Sequence, residues 1–398
     1  MSSRITDFDG SAIPRRILSG RGATSRLGGA VKDEGYARIL IVTSPSVASS
    51  SGHIDKVASA LGSRLAGVFS ATRPHAPVPA LHEATDYASE VKADAVLSVG
   101  GGAVHDTAKA VALMAATGRD IRELANRFEP PDTFIAPTIE VEPLPVLTMP
   151  STFSAADVVG GGAFTDVDSG LKHIFVHPML TPRIVVLDGD FAATTPDAIL
   201  RPSAMNAVHH CVEALLSKGH QPVTDAFALR ALRLLASSVP KLPTVEGDER
   251  AEVIQIALEA AALSGMTYGN SWLGLGHAIC HSLGGRYGLS HAEANAVIMP
   301  KTMRFNATEA SDRLALVAEG LGASFPEGSE SAAAAFAIAF VEDLARKLGL
   351  PATLAEIGLP EGQEESIADD VMADPQTFWN PRKVTSDDVK RIVRNAYS

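Results

Sequence analysis

Short apolar runs alternate with helical patterns through the first half of the chain. Residues 37–44 are a β-branched run of the kind that lies buried on both faces of a sheet. The next segment places Ile54, Val57, Ala58 and Leu61 at helical spacing. Further strands are predicted at 66–70, 93–102, 143–150 and 182–188, and helices at 81–93 and 105–118. This order of elements predicts a mostly parallel sheet with helices on both faces.

The pattern changes after Asp188 and becomes helical almost throughout. Long amphipathic or wholly apolar helical segments are predicted at 196–217, 223–239 and 249–267. We therefore predict two domains, an α/β domain over residues 1–190 and an all-helical domain over residues 191–398. A cleft between two such domains is a common place for a ligand.

Composition narrows the class of protein. The 398 residues are 46% hydrophobic and 20% charged, as in a soluble globular protein with two cores. A net charge of -12 argues against nucleic acid or an anionic membrane as partner. The N-terminus has no signal peptide pattern, and no apolar run approaches the roughly 18 residues of a membrane span, so a cytoplasmic protein is expected. Its two cysteines, Cys211 and Cys280, are predicted to be packing residues.

Two small-residue loops follow predicted strands and could hold a cofactor. Gly100, Gly101 and Gly102 come between a strand and a helix, where backbone can approach a phosphate group and the helix N-terminus favours negative charge. The spacing is neither GxGxxG nor a nucleotide-triphosphate loop, so a simple tight turn is the alternative. Asp106 and Lys109 follow on the first helical turns. Ser151 and Thr152 close a second strand, and they are candidates for hydrogen bonds to a cofactor, or for turn caps.

Histidines are concentrated in two short segments of the helical half. His277, His281 and His291 lie within fifteen residues, and His210 lies in the segment NAVHH that begins at Asn206. The Gly-Gly pair after His281 is expected to break the helix and leave these side chains in open space. Imidazoles suit two kinds of chemistry, because three of them can hold a divalent metal with an open position or can move protons and bind an anion. The residues alone leave both readings open.

Taken together, these motifs resemble the iron-containing (group III) alcohol dehydrogenase superfamily, which includes dehydroquinate synthase. GGGAVHDTAK is similar to its cofactor loop, MPSTFSAAD to its PTT segment, and GLGHAICHSLGGRYGLSH to its histidine signature. The resemblance implies a Rossmann-like domain that binds NAD(P)H, a helical second domain, hydride transfer in the cleft, and a homodimer. Ser44 and Lys172 occupy positions that face the cofactor in this superfamily.

One branch of the superfamily, the maleylacetate reductases, matches further. The metal site of the superfamily as a whole corresponds to Asn206, His210, His277 and His291, and a neutral amide replaces the usual Asp at the first of these positions. The branch shows the same NAxxH pattern, and whether it binds a metal is left open. Asp106 and Asn295 depart from the branch, since the resemblance implies a glycine at the first position and a histidine at the second.

The resemblance implies reduction of a C=C or C=O bond in a small anionic oxo-dicarboxylate, such as maleylacetate to 3-oxoadipate, in the degradation of aromatic compounds. His281 is the expected general acid beside the nicotinamide, and His210, His277 and His291 complete the polar wall. The alternative is an alcohol dehydrogenase in which His210, His277 and His291 hold iron or zinc. A catalytically silent protein of the same fold is a third reading.

Overall fold

A computed structural model describes residues 13–50, 52–129 and 133–398 of the chain. Residues 1–12, where the sequence predicts no signal peptide, lie outside the described residues. Of the helices within these ranges, none is both long and apolar enough to cross a membrane.

A parallel sheet of six strands forms the centre of the N-terminal half. Its order is β1-β10-β7-β4-β2-β3, and every neighbouring pair is parallel, which confirms the predicted α/β architecture. Two small antiparallel pairs, β5 with β6 and β8 with β9, were not predicted from the sequence. The strands are β1 (Arg16–Ser19), β2 (Ile39–Thr43), β3 (Leu65–Phe69), β4 (Ala95–Gly100), β5 (Arg127–Glu129), β6 (Thr133–Ile135), β7 (Val146–Pro150), β8 (Gly161–Asp166), β9 (Leu171–Val176) and β10 (Ile184–Leu187).

Helices cover both faces of the sheet and make up the C-terminal half, as the pattern after Asp188 predicts. Those of the first half are α1 (Leu27–Glu34), α2 (Pro45–Ser49), α3 (His53–Leu61), α4 (Val78–Glu90), α5 (Gly102–Thr117) and α6 (Gly189–Ala192). Those of the second half are α7 (Asp197–Leu216), α8 (Pro222–Ser238), α9 (Gly247–Tyr268), α10 (Leu275–Tyr287), α11 (His291–Asn306), α12 (Ser311–Gly320), α13 (Glu330–Lys347), α14 (Glu364–Met372), α15 (Gln376–Trp379) and α16 (Ser386–Tyr397).

The sheet brings three loops to one edge. Strands β2, β4 and β7 are neighbours, and their last residues are in register, with Thr43 opposite Val99 and Gly100 opposite Pro150. The loops that follow these strands therefore start side by side at the carboxyl edge. The chain also reverses its direction across the sheet between β2 and β4, and ligands of open α/β sheets bind at such a point.

Helix α7 is the centre of the helical half, and residues 202–216 are all buried. Its apolar residues share one core with Phe153, Val158 and Val185 of the first half, so the two halves pack through a continuous apolar contact. Since nothing on this stretch of helix faces bulk water, its polar residues need hydrogen-bond partners or a functional role.

Helix α10 differs from its prediction. The Gly284-Gly285 pair does not break the helix, which continues to Tyr287 and ends where Gly288 adopts a φ of 68°. A Cβ on Gly285 would lie 3.4 Å from the backbone nitrogen of Lys172 on β9, an ordinary van der Waals distance. The helix therefore packs against the strand at normal spacing.

A buried histidine lies beneath the glycine loop. His105 of α5 is fully buried; its Nδ1 lies 2.7 Å from the Ser98 hydroxyl, and its Nε2 has no partner in the described part of the chain. Burial, helped by the nearby Lys109 ammonium, lowers the pKa of His105 from 6.5 to about 3. The imidazole is therefore neutral in the folded protein across the physiological range.

We expect His105 to make the protein sensitive to acid. Below pH 6.5 the unfolded chain binds a proton at this residue, whereas the folded protein does so only near pH 3, so stability is lost as the pH falls between these values. The group accounts for about 2 kcal/mol of the free energy of unfolding lost between pH 7 and pH 5. Urea unfolding at both pH values should show that His105→Asn lacks this part of the loss.

Ser98→Ala is the matched control, because it removes the hydroxyl partner but leaves the buried imidazole. It should lower stability equally at both pH values. A His105→Asn protein with the full acid sensitivity of the parent chain would contradict the assignment.

Candidate active site

A cavity of about 1220 Å³ lies at the carboxyl edge of the sheet and extends into the helical half. Most of the residues singled out from the sequence line it, and Gly100 and Lys109 do not. Those on its wall are Ser44, Gly101, Gly102, Asp106, Ser151, Thr152, Lys172, Asn206, His210, His277, His281 and His291. The fold thus collects the two small-residue loops and the histidines around one space.

The glycine loop forms the sheet end of the cavity. Gly100 has a φ of 154°, and a Cβ there would lie 2.8 Å from Val104, so the turn out of β4 requires glycine. Cβ atoms on Gly101 and Gly102 would lie 3.3 Å from Thr152 and Ser154 of the neighbouring loop. The N-terminus of α5 therefore opens directly onto the cavity, with no side chain of its own in the way.

Lys109 stabilises the loop that follows β7 through hydrogen bonds to its backbone. Its ammonium group donates to the backbone oxygens of Ala156 and Gly161 at 2.6 and 2.7 Å, on the stretch that follows Ser151 and Thr152. Burial lowers the pKa of Lys109 to about 8, against the opposing effect of Asp106 and Asp157. The residue thus shapes the cavity wall through the backbone.

The cavity wall carries more cationic than anionic side chains, although the protein is acidic. The charged residues among the described ones that line it are Arg73, Lys172 and Asp106, and Arg73 also pairs with Glu83 at 2.9 Å. Burial lowers the pKa of Lys172, while the nearby carboxylates of Asp106 and Asp374 oppose that effect. This distribution of charge favours an anionic ligand.

Glu213 of α7 fixes the position of His277 on α10. Its carboxylate accepts from Nδ1 of His277 at 2.7 Å and from the backbone N–H groups of Gly274 and Gly276 at 3.0 and 2.6 Å. It therefore also caps the N-terminus of α10. Because Nδ1 carries the proton of this hydrogen bond, the Nε2 lone pair of His277 is left without a partner among the described residues.

His210 and His291 lie on either side of this ring. Their centroids are 5.0 and 5.7 Å from that of His277, and their buried Nδ1 atoms have no partner in the described ranges. Burial and neighbouring imidazoles lower the pKa of His210 well below 6.5; burial and the Lys172 ammonium do the same for His291. Burial first, then His209, lowers the pKa of His277 to about 4. All three rings are neutral, as metal ligation requires.

These three imidazoles fit a divalent metal as far as nitrogen ligands are concerned. Three neutral imidazoles around one space are a donor set for iron or zinc. The fourth position fits less well, since Asn206 already directs its side-chain oxygen to Asn295 at 2.9 Å.

His281 has a different setting from the other three histidines. Its Nδ1 lies 2.8 Å from Oδ2 of Asp374, and its side chain is 17% exposed, where His277 is almost wholly buried. The backbone N–H of Gln376 donates to the other oxygen of Asp374 at 2.8 Å. The Asp374 carboxylate thus orients the imidazole of His281, so that its Nε2 points away from Asp374.

The site contains three further residues that the sequence analysis did not single out: His209, Glu213 and Asp374. His209, Glu213 and His277 place ligand atoms within 4.8 Å of one another, a second grouping that could hold a metal. The Glu213 oxygens accept four hydrogen bonds, whereas Nε2 of His209 and Nε2 of His277 have no hydrogen-bond partner among the described residues. The sequence does contain a pattern that links His209 and Glu213, because residues four apart in a helix lie on the same face. No local pattern marks Asp374.

The class of protein is an oxidoreductase with an α/β N-terminal half and a helical C-terminal half, and comparisons with known proteins name the family. The model of the iron-containing alcohol dehydrogenases matches residues 14–189, and that of the C-terminal part of the Fe-containing alcohol dehydrogenase family matches residues 202–397. The chain belongs to the iron-containing alcohol dehydrogenase family, as its motifs predicted.

Relatives within the family carry different substrate names. The chain is 33% identical to the NAD-dependent methanol dehydrogenase of Bacillus methanolicus, over 96% of this chain and 98% of that protein. It is 29% identical to the maleylacetate reductase of Burkholderia cepacia, over 97% and 96% of the two chains. The solved structure of a 1,3-propanediol oxidoreductase is 26% identical and superposes with a TM-score of 0.89, over 98% of this chain and 100% of that one. Identity at this level does not select a substrate.

We expect Gly276→Ala to disturb the histidine site. A Cβ at this position would lie 2.4 Å from the buried ring of His209 and 2.9 Å from Glu213, so α10 must shift against α7. The cost to the free energy of unfolding should be about 1–3 kcal/mol. Displacement of His277 should lower kcat by up to about 100-fold.

Gly285→Ala on the same helix is the control, because its Cβ would meet nothing closer than 3.4 Å. It should retain most of the stability and turnover of the parent chain. Equal effects of the two substitutions, measured by thermal unfolding and steady-state kinetics, would refute the argument.

Proposed function

We propose that this protein is an NAD(P)H-dependent reductase of a small oxo acid, of the maleylacetate reductase type. The observation that carries the proposal is the contrast between a cavity wall with more cationic than anionic side chains, Arg73 and Lys172 against Asp106, and a chain of net charge -12. An anionic substrate and an anionic cofactor both suit such a wall. The reaction would reduce a carbonyl or a conjugated C=C bond.

The sheet end of the cavity supports the cofactor assignment. Gly101 and Gly102 leave the N-terminus of α5 open to a pyrophosphate, and Ser151 and Thr152 supply hydroxyl groups beside it. NAD(P)H, when bound, supplies a hydride. Ser44 caps α2 at the end of β2 and carries no charge, so it is compatible with both NADH and NADPH.

The histidine end of the cavity supports the handling of substrate and proton. His281, oriented by Asp374, is the residue we assign as proton donor to the carbon or oxygen that gains negative charge. His277 is unsuited to that step, because its proton is held by Glu213 and a lone pair remains at Nε2. Lys172 and the remaining imidazoles bind the oxygens of the substrate.

A second candidate is a metal-dependent alcohol dehydrogenase. The unpaired nitrogens of His210, His277 and His291 favour it. These residues would hold iron or zinc, which when bound would supply Lewis acidity at an alcohol oxygen. The methanol dehydrogenase among the relatives is a reason to test it.

One experiment separates the two candidates. Oxidation of NADH and NADPH is followed with maleylacetate and with a panel of small aldehydes, with and without a chelator, beside elemental analysis of the purified protein. The proposal expects chelator-resistant turnover of maleylacetate and no stoichiometric metal. Chelator-sensitive turnover of aldehydes with bound iron or zinc would establish the second candidate. No turnover of any substrate would leave a catalytically silent protein.

We expect His281→Asn to lower kcat by about 10²–10⁴-fold, since a positioned proton donor contributes that much. Asp374→Asn should lower kcat less, because the imidazole stays but loses its orienting charge. The dissociation constant of NADH, measured by fluorescence titration, should change little in both variants.

Ser282→Ala is the control on the same helix, since the Ser282 hydroxyl donates to Asp370 and not to Asp374. It should leave kcat close to that of the parent protein. A His281→Asn variant with undiminished kcat would assign the proton donor elsewhere.

A further inference from the structure

We infer that the buried Asn295 fixes the side chain of Asn206 with its N–H groups toward the cavity, so that this corner of the site binds an oxygen atom and disfavours a cation. Asn295 of α11 is fully buried, does not line the cavity, and lies behind Asn206. It is thus a positioning residue. The part of the inference that concerns substrate rests on the proposed function; the part that concerns cations does not.

The hydrogen bonds of Asn295 leave one orientation for its amide. Its nitrogen donates to the backbone oxygen of His291 at 2.8 Å, and that oxygen can only accept. Its oxygen lies 2.5 Å from Nδ1 of His209 and 3.6 Å from the Cys280 thiol, which both donate. A reversed amide would place two acceptors together at His291. The orientation of Asn295 is therefore set by groups that surround it on three sides.

The orientation of Asn206 follows from that of Asn295. The nitrogen of Asn295 is also 2.9 Å from the Asn206 side chain, so the atom that faces it must be the Asn206 oxygen. Asn206 lines the cavity, and the hydrogen bond that its side chain makes to the described residues is the one that its oxygen accepts from Asn295. Its two N–H groups are thus left for a ligand.

The N–H groups of Asn206 favour an oxygen ligand over a metal ion at this position. A carbonyl or carboxylate oxygen can accept from the Asn206 N–H groups without any rearrangement. A metal would need the Asn206 oxygen, and turning the amide would place its N–H groups against those of Asn295. The pair Asn206–Asn295 therefore decides between oxygen and cation at a site whose three imidazoles suit either.

Metal titration tests the inference without substrate or cofactor. Metal-stripped protein is titrated with Co²⁺, followed by calorimetry and by the visible absorption of the bound ion. Asn206→Asp keeps the bond from Asn295 and presents an anionic oxygen to the cavity, and should bind Co²⁺ at least about tenfold more tightly than the parent chain. Asn295→Asp accepts in place of donating, turns the Asn206 amide, and should also tighten binding.

Cys280→Ala is the matched control. It removes a weak donor to the same Asn295 oxygen without changing which atom Asn295 presents to Asn206, so Co²⁺ binding should match that of the parent chain. If Asn295→Asp fails to fold, the near-isosteric Asn295→Leu, which frees the Asn206 amide to turn, should tighten binding in its place.

The inference is overturned if the parent protein binds Co²⁺ as tightly as Asn206→Asp, or if folded variants at position 295 bind no more tightly than Cys280→Ala. A kinetic readout then addresses the substrate: the KM for maleylacetate should rise about tenfold in Asn295→Asp, with the NADH dissociation constant unchanged. If the parent chain reduces no oxo acid, the proposed function fails, while the Co²⁺ titration still decides the orientation of Asn206.

Discussion

The buried carboxylate of Glu213 is the interaction on which the rest of the site depends. It lies in the last turn of α7, where every neighbouring residue is buried, and it is 4% exposed. Burial alone would raise the pKa of Glu213, but His209 and the hydrogen bond from His277 together bring that pKa well below its ordinary value. A buried ion of this kind is tolerated only when its hydrogen bonds are complete, which ties α7 to the start of α10.

Lys109 has the equivalent role in the other half of the protein. Its buried ammonium holds two backbone oxygens of the loop after β7, as Glu213 holds the first turn of α10. Each wall of the cavity is thus fixed by one buried charge that does not itself face the ligand. The arrangement positions the walls through groups that do not line the cavity, which is what a preorganised site needs.

The same set of imidazoles suits two chemistries, metal ligation and the binding of an anionic oxygen, and the relatives carry the names of both alcohol dehydrogenases and maleylacetate reductases. His210, His277 and His291 are neutral and have unpaired nitrogens in either case. In the inference drawn above, Asn206 and the residue behind it decide between these chemistries. Small changes at a site can redirect it while the fold stays the same.

Local periodicity along the chain predicts the alternation of strands and helices and the helical second half. The motifs that identify the family can also be found in the sequence alone, because each consists of residues close together in the chain. The residues that the sequence singled out include Gly101, Gly102, Ser151, Thr152 and the histidines, and these line one cavity. The sequence could not show that Lys109 faces a backbone, that α10 runs through Gly284 and Gly285, or that the strand β9 carries Lys172 to the histidines. Asp374 lies 93 residues from His281, and Asn295 lies 89 residues from Asn206. Only the tertiary structure brought these pairs into contact, since hydrogen bonds between distant segments leave no periodic pattern in the chain.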